Sequence, residues 1–276
     1  IGANLIGGVT ITPLAAAARL LVAAGFMSFG VYRGYPVPAA FATTGAIVGV
    51  GLSLGGDPAF DTYRRIVTFW LLVPPTSGGL AYITAKLLRR EDVPETVSIP
   101  FLAAVVAGIL ANVRLGVIPH PDRAQGSVAE ALARLVGDPS ILGVDIAVVG
   151  VTLAFAALGF RTIRRRTQAS MENGIRTLLL GLGSVVAFSS GGSQVGLATG
   201  PLENLYGVEL GLPGIVLLSI GATGILAGAW MGAPRLLQAT SREYAQLGLR
   251  RSIAALVPGF IIAQLAITLG IPISFN

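Results

Sequence analysis

The chain has 276 residues, of which 53% are hydrophobic and only 12% are charged, and its mean hydropathy is +0.77. This composition is typical of a protein that lies largely within a lipid bilayer. The sequence has no cysteine and a single histidine, which excludes disulfides, thiol chemistry and metal sites built from Cys or several His. Its 19 basic residues do not cluster on a soluble region, so no nucleic-acid partner is expected.

Eight apolar segments follow one another along the chain, and most approach the 20 residues that a helix needs to cross a bilayer. They lie at about 12–32, 38–55, 66–88, 98–118, 141–160, 177–200, 212–232 and 253–272. The sequence therefore predicts an all-α, polytopic membrane protein with about eight transmembrane or re-entrant helical segments. A short helix outside these segments is also expected, because Ser127 and Glu130 form a capping-box pattern.

Basic residues are divided unequally between the two sides of the membrane that this count predicts. If all eight segments cross, one side receives thirteen basic residues and the other receives four. Because positively charged loops stay in the cytoplasm, the richer side is predicted to face inward. The chain is therefore expected to be a multi-pass protein of the cell membrane, with the loop 161–176 in the cytoplasm.

Charged residues within the apolar segments are few, namely Arg19, Arg114 and Asp145. A charge at membrane depth is a functional candidate, yet Arg19 can extend its stem towards the interface and Asp145 can stabilise a helix N-terminus. Both the structural and the functional interpretation stay open at this point. No pair of carboxylates, Ser–His pair or metal-ligand cluster lies in the segments, which argues against an enzyme.

The residues 187–202 combine an apolar segment with several serines, one glutamine and four glycines. Each glycine in a helix interior costs about 1 kcal/mol relative to alanine, so a discontinuous helix is predicted here. Discontinuous helices place hydroxyl groups and free N–H groups at membrane depth, where they can hold an anion. The alternative is a glycine-rich helix packed closely on a neighbouring helix.

An internal repeat is indicated by two short elements at an offset of 236 residues, Gly34-Tyr-Pro-Val37 and Gly270-Ile-Pro-Ile273. Each follows an apolar segment, and the two segments run in opposite directions through the membrane on the predicted topology. This is the pattern of an inverted-topology repeat with broken helices. We predict one integral membrane domain over 1–276, with a first-repeat part at 1–160, the central cytoplasmic loop at 161–176 and a second-repeat part at 177–276.

These motifs resemble the PiT family of inorganic phosphate transporters. The family's second signature, F-[SA]-H-G-A-N-D-V-A-N-A-I-G-P-L, is similar to residues 188–202, and its G-[LI]-P-V-S-T-T-H signature is similar to the two Gly-x-Pro elements. Its W-x-x-S-P and G-x-x-x-G-G-x-R segments resemble residues 70–74 and 228–235. The family's Asn-Asp pair falls on Ser193 and Gln194 in this chain, which removes a carboxylate. The resemblance also implies further segments before residue 1 and after residue 276.

The resemblance implies a secondary transporter that moves inorganic phosphate or a similar oxyanion by alternating access, coupled to Na⁺ or H⁺. The substrate-binding candidates are Ser189, Ser190, Gly191, Gly192, Ser193, Gln194, Thr199, Ser274 and Asn276. A coupling Na⁺ is expected near Ser193 and Gln194, with no other cofactor, and the expected partners are the oxyanion, the cation, the lipid bilayer and a second copy in a homodimer. Two alternatives stay open: a permease for another anion such as sulfate, and a transport-inactive or regulatory protein on the same scaffold.

Overall fold

The computed structural model describes residues 5–8, 12–90, 92–115, 118, 120–121, 126–137, 140–141, 144–202, 205–238 and 247–273. Each of the eight predicted apolar segments contains a helix, and the short helix predicted after Ser127 is also present. The helices are α1 Pro13–Arg33, α2 Ala39–Ser53, α3 Phe60–Leu88, α4 Glu95–Ala111, α5 Val128–Arg134, α6 Ile146–Ala169, α7 Met171–Thr199, α8 Gly214–Gln238 and α9 Leu249–Thr268.

Six of these helices are long and apolar enough to cross a membrane by length and composition, namely α1, α3, α6, α7, α8 and α9. The shorter apolar helices α2 and α4 have 15 and 17 residues. At about 1.5 Å per residue, these lengths are shorter than the hydrocarbon core of a bilayer, so they suit re-entrant segments better than full crossings. The all-α polytopic membrane fold predicted from composition is therefore confirmed.

Three antiparallel ladders of two residues each connect loop segments at helix ends. They are β1 Ile6–Gly7 with β2 Asp57–Pro58, β3 Arg114–Leu115 with β4 Gly126–Ser127, and β5 Ser140–Ile141 with β6 Val144–Asp145. Ladders this short leave no sequence periodicity, so no pattern of residues predicts them. They satisfy backbone groups beside the helix ends, where helices leave N–H and C=O groups without partners.

Side chains cap the N-termini of α1, α5 and α6. The Thr12 side chain accepts a hydrogen bond from the Ala15 N–H at 3.3 Å, with Pro13 at the first helical position. Ser127 and Glu130 form the predicted capping box, with distances of 3.1 Å and 2.8 Å. Asp145 caps α6 by accepting from the Val148 N–H at 3.0 Å, so its carboxylate has a structural role.

The chain forms two compact units that interleave along the sequence. Unit 1 comprises Ile1–Thr76, Val185–Leu247 and Leu265–Asn276, and unit 2 comprises Ser77–Ser184 and Gly248–Gln264. This division differs from the two repeat parts proposed from the sequence. Helices α3, α7 and α9 each contribute residues to both units.

In unit 2, α4 packs along α6 through small residues. A Cβ added at Gly159 would lie 2.7 Å from the Cβ of Ala107, so only glycine allows this approach of the two helices. At one end of the pair, the Asn112 side-chain amide donates to the Thr152 hydroxyl at 2.8 Å. The ion pair between Arg250 and Glu95, at 2.7 Å, joins α9 to the start of α4.

Residues 161–176 were expected to form a loop, and this expectation is wrong. Helix α6 continues to Ala169 and α7 begins at Met171, so only Ser170 is non-helical in this range. The two helices approach each other closely at Gly174, where an added Cβ would lie only 2.2 Å from the Thr167 side chain. The arginines of this region therefore extend from helical turns. Because helical turns are compatible with either side of a membrane, the predicted cytoplasmic position stays a prediction.

Candidate functional site

Helix α7 carries seven of the nine predicted site residues, and it is continuous up to Thr199. The expectation of a break among the glycines is wrong, because the chain leaves α-helical geometry only at Gly200–Leu202, a 3₁₀ turn that contains Pro201. A π-helical turn follows at Leu205–Glu209. Opening a helix in lipid costs several kcal/mol for each unpaired backbone group, which exceeds the cost of about 1 kcal/mol for a glycine inside a helix.

Continuity of α7 changes which groups are available to a ligand. The N–H groups of Gly191 and Gly192 lie within the helix, so they are not the free backbone donors that a broken helix would provide. The donors that α7 can offer are therefore its hydroxyl and amide side chains. The two glycines leave the helix surface beside those side chains without bulk, since an added Cβ at either position would meet no atom within 4 Å.

The polar residues of α7 lie on one face of the helix. At 3.6 residues per turn, positions 189, 193, 190 and 194 occupy a sector about 140° wide. Ser190 and Gln194 are both half-buried, and within the described part of the chain neither side chain forms a hydrogen bond. Both are therefore available as donors to a ligand.

Thr199 lies on the opposite face of α7 and is buried there. Its hydroxyl donates to the Val195 carbonyl at 2.8 Å, and a Cβ added at Gly221 of α8 would lie 2.5 Å from its methyl group. The next turn, Gly200–Leu202, contacts α1. One face of the α7 end thus packs on α8, and the structure separates Thr199 from the other predicted site residues.

The two Gly-x-Pro elements have the same backbone geometry. Gly34 and Gly270 adopt positive φ values of 74° and 68°, which glycine adopts without strain. The Tyr35 N–H donates to the Gly30 carbonyl at 2.8 Å, and the Ile271 N–H donates to the Ala266 carbonyl at 2.9 Å. These capping bonds match at the offset of 236 residues, so the predicted repeat has a common local structure. Whether the copies are related by an inverting axis stays a prediction.

Trp70 of α3 contacts both the second Gly-x-Pro element and α2 within unit 1. Its indole N–H donates to the Pro272 carbonyl at 2.8 Å, and its ring lies 3.9 Å from that of Phe41, in the first turns of α2. The Arg65 guanidinium donates to the Leu269 carbonyl in the same region. The segment 269–272 is thus bound along one side of α3. The resemblance of residues 70–74 indicated Trp70 in advance, but its partners were not predictable.

Ser274 and Asn276 lie outside the described residues, as does the side chain of Ser193. The predicted contact between the polar face of α7 and Ser274 therefore stays a prediction. Pro272 lies two residues before Ser274, which limits their separation to about 7 Å along the chain.

Arg19 is buried in unit 1 with 6% of its surface exposed. A snorkelling side chain would reach the surface of the protein, so burial contradicts that interpretation. Arg114, by contrast, is exposed and lies in β3, beyond the end of α4. Among the three intramembrane candidates, Arg19 alone is a buried charge inside a helix long enough to span.

Six helices long and apolar enough to cross a membrane, two similar capped elements and a polar face on α7 define a polytopic helical membrane protein. The model of the phosphate transporter family matches residues 1–276, and the chain belongs to that family. Relatives named as phosphate permeases include proteins of Chlamydia trachomatis, 22% identical, and Thermococcus kodakarensis, 24% identical. Each alignment covers 93% of this chain, and respectively 66% and 64% of the relative.

A solved structure described as the sodium-dependent phosphate transporter has a similar fold, with a TM-score of 0.73 at 19% identity. The similarity covers 95% of this chain and 66% of that one. The chain thus spans about two thirds of the length of the relatives it matches. At this level of identity the likeness establishes the fold, which agrees with the all-α polytopic architecture described above.

Proposed function

We propose that the protein is a secondary transporter that moves inorganic phosphate across the cell membrane by alternating access. The main structural support is the polar face of α7, where the side chains of Ser190 and Gln194 form no hydrogen bond among the described residues. Unsatisfied donors at membrane depth are costly unless they meet a ligand or water. Membership of the phosphate transporter family and the names of the relatives support phosphate as the substrate.

Hydroxyl and amide donors suit an oxyanion because each hydrogen bond to a charged oxygen contributes about 1.5–3 kcal/mol. Three or four such bonds replace much of the hydration of phosphate while leaving it exchangeable. We place Ser189, Ser190, Ser193 and Gln194 on one side of the bound anion and Ser274 with Asn276 on the other. Gly191 and Gly192 provide space beside the anion.

Coupling to a cation is part of the proposal, with Na⁺ near Ser193 and Gln194. Na⁺ is favoured over H⁺ because the solved transporter of similar fold is described as sodium-dependent. The residues fit a weakly bound Na⁺, since hydroxyl and amide oxygens are acceptable ligands, but Gln194 supplies no negative charge. When bound, Na⁺ would supply positive charge close to the anion. A homodimer in the cell membrane, with residues 161–176 in the cytoplasm, completes the proposal.

The test is uptake of labelled phosphate by the full-length protein in proteoliposomes. We expect Ser190→Ala, Ser193→Ala and Gln194→Leu each to raise the apparent KM about tenfold, the loss of one such hydrogen bond. Ser184→Ala is the matched control, because Ser184 lies on the same helix and its hydroxyl already donates to the Leu180 carbonyl at 2.8 Å. Unchanged kinetics in all three site variants would show that the anion binds elsewhere.

Ion replacement and competition distinguish the remaining alternatives. Uptake that stops when choline replaces Na⁺ supports Na⁺ coupling, whereas uptake driven by an imposed pH gradient supports H⁺. Sulfate that competes at micromolar concentration would indicate a different anion. A folded, inserted protein that transports neither anion would indicate the regulatory alternative. Light scattering of the purified protein measures whether it is a dimer.

A further inference from the structure

A groove between α1 and α2 has a volume of about 580 Å³ and is lined by residues with apolar side chains and by glycines. Its walls include Val22, Phe26, Val37, Phe41, Gly45 and Gly49. Gly45 and Gly49 are both exposed, and a Cβ added at either would meet no atom within 4 Å. The groove is therefore an open concavity on the surface of unit 1.

One end of the groove is next to a positive charge. Val22, Phe26, Phe29 and Arg33 follow one another at helical spacing on α1, so they form one stripe. The Arg33 guanidinium lies 5.4 Å from the centre of the Phe29 ring. Tyr35, which is exposed, directly precedes the groove residues Pro36–Pro38. A cation and a phenol hydroxyl thus stand where the apolar lining ends.

The length of the groove corresponds to one leaflet of a bilayer. Arg33 lies eleven positions after Val22, which corresponds to about 16 Å along the helix axis. Half the thickness of the hydrocarbon core is about 15 Å. An acyl chain seated between Phe26 and Gly49 would therefore end near mid-membrane when its headgroup is level with Arg33.

We propose that this groove binds one anionic phospholipid, with an acyl chain between α1 and α2 and the phosphodiester at Arg33 and Tyr35. Arginine suits a phosphate because its planar guanidinium donates two hydrogen bonds to two oxygens. If the predicted topology is right, the lipid belongs to the cytoplasmic leaflet, which is the anionic one.

A lipid fits this surface better than another helix does. A helix laid along the groove would remove water from the Arg33 guanidinium, which has no acidic partner among the described residues. Burying an unpaired charge is unfavourable, whereas the phosphodiester of an anionic lipid supplies the opposite charge. The bare glycine wall also fits a flexible chain, since it provides no side chains that would interlock with a helix.

The experiment counts phospholipids bound to the full-length protein by native mass spectrometry, after delipidation and addition of phosphatidylglycerol or phosphatidylcholine. We expect the wild-type protein to retain one lipid most tightly and to prefer phosphatidylglycerol about fivefold, the typical effect of one basic residue. Arg33→Gln should reduce that preference to near one. Gly45→Leu and Gly49→Leu should abolish retention of both lipids, because a leucine side chain at either position occupies the groove, where an added Cβ meets no atom within 4 Å.

Two control variants test whether these effects are local. Arg90→Gln removes an exposed arginine just beyond the end of α3, and Gly183→Leu adds the same bulk at an open glycine of α7. Both should retain the lipid as the wild type does. The proposal is overturned if Arg33→Gln keeps the fivefold preference, or if both leucine variants keep the lipid. It is equally overturned if the leucine variants lose a protein partner or a dimer while lipid retention is unchanged. Circular dichroism checks that each variant is folded. If a glycine variant does not fold, the lipid preference of Arg33→Gln, which changes an exposed side chain, tests the proposal by itself.

Discussion

The hydrogen bond from Trp70 to Pro272 should determine how well the segment before Ser274 is positioned. Trp70→Phe removes the indole N–H, which lies 2.8 Å from the Pro272 carbonyl, and keeps a six-membered ring near Phe41. A partly buried carbonyl that loses its donor is destabilised by about 1–2 kcal/mol. That free energy corresponds to a change of about 5- to 30-fold in the fraction of molecules whose 269–273 segment is detached.

Hydrogen exchange measured by mass spectrometry follows this detachment directly, without relying on transport. The peptide containing Ile271 should exchange about 5- to 30-fold faster in Trp70→Phe, because its N–H bond to Ala266 is protected only while the turn is formed. Under the proposed function, the apparent KM for phosphate should rise in the same variant. Its maximal rate should change less, because Pro272 acts by positioning Ser274.

Two further variants isolate the hydrogen bond. Trp230→Phe is the matched control, since Trp230 is 88% exposed. Phe41→Leu removes the stacked ring and keeps the N–H donor, so it should leave exchange at Ile271 close to that of the wild type. If Trp70→Phe exchanges like the wild type, or if Phe41→Leu exchanges equally fast, the hydrogen bond does not hold the segment.

Three other predictions concern packing, capping and topology. Gly221→Val should destabilise the protein by about 1–3 kcal/mol, because a Cβ there would lie 2.5 Å from the methyl group of Thr199. Gly224→Val should have little effect, because a Cβ there would meet no atom within 4 Å, and thermal unfolding measures the stability of both variants. Ser127→Ala removes the capping box of α5 and should cost about 1 kcal/mol, seen as faster hydrogen exchange in 128–134 with little change elsewhere. In this cysteine-free chain, an impermeant thiol reagent applied to intact cells should label Val136→Cys and leave Gln168→Cys unlabelled; the reverse result would invert the topology. These two positions are exposed, whereas the nearby Ser127 and Thr167 are buried.

The sequence by itself determined the features that depend on composition or on contacts within a few residues. Apolar length predicted all eight segments, because a backbone in lipid can satisfy its hydrogen bonds only within helices or closed barrels. Local capping predicted α5, and the carboxylate of Asp145 was expected at the start of α6. The positive φ of Gly34 and Gly270 gives both Gly-x-Pro elements one geometry, which their sequence similarity had indicated.

Only the tertiary structure decided how α7 uses its glycines. The low helix propensity of glycine predicted a break in α7, and each glycine destabilises the helix by about 1 kcal/mol relative to alanine. The helix nevertheless continues to Thr199, because lipid cannot replace the backbone hydrogen bonds that a break would open. The close contact of Thr199 with Gly221 sets which face of α7 is packed and leaves the polar face on the opposite side. The link from Trp70 to Pro272 and the groove between α1 and α2 likewise join residues that are distant in sequence or lie on different helices. Such contacts arise from the packing of complete helices, so no local pattern of residues encodes them.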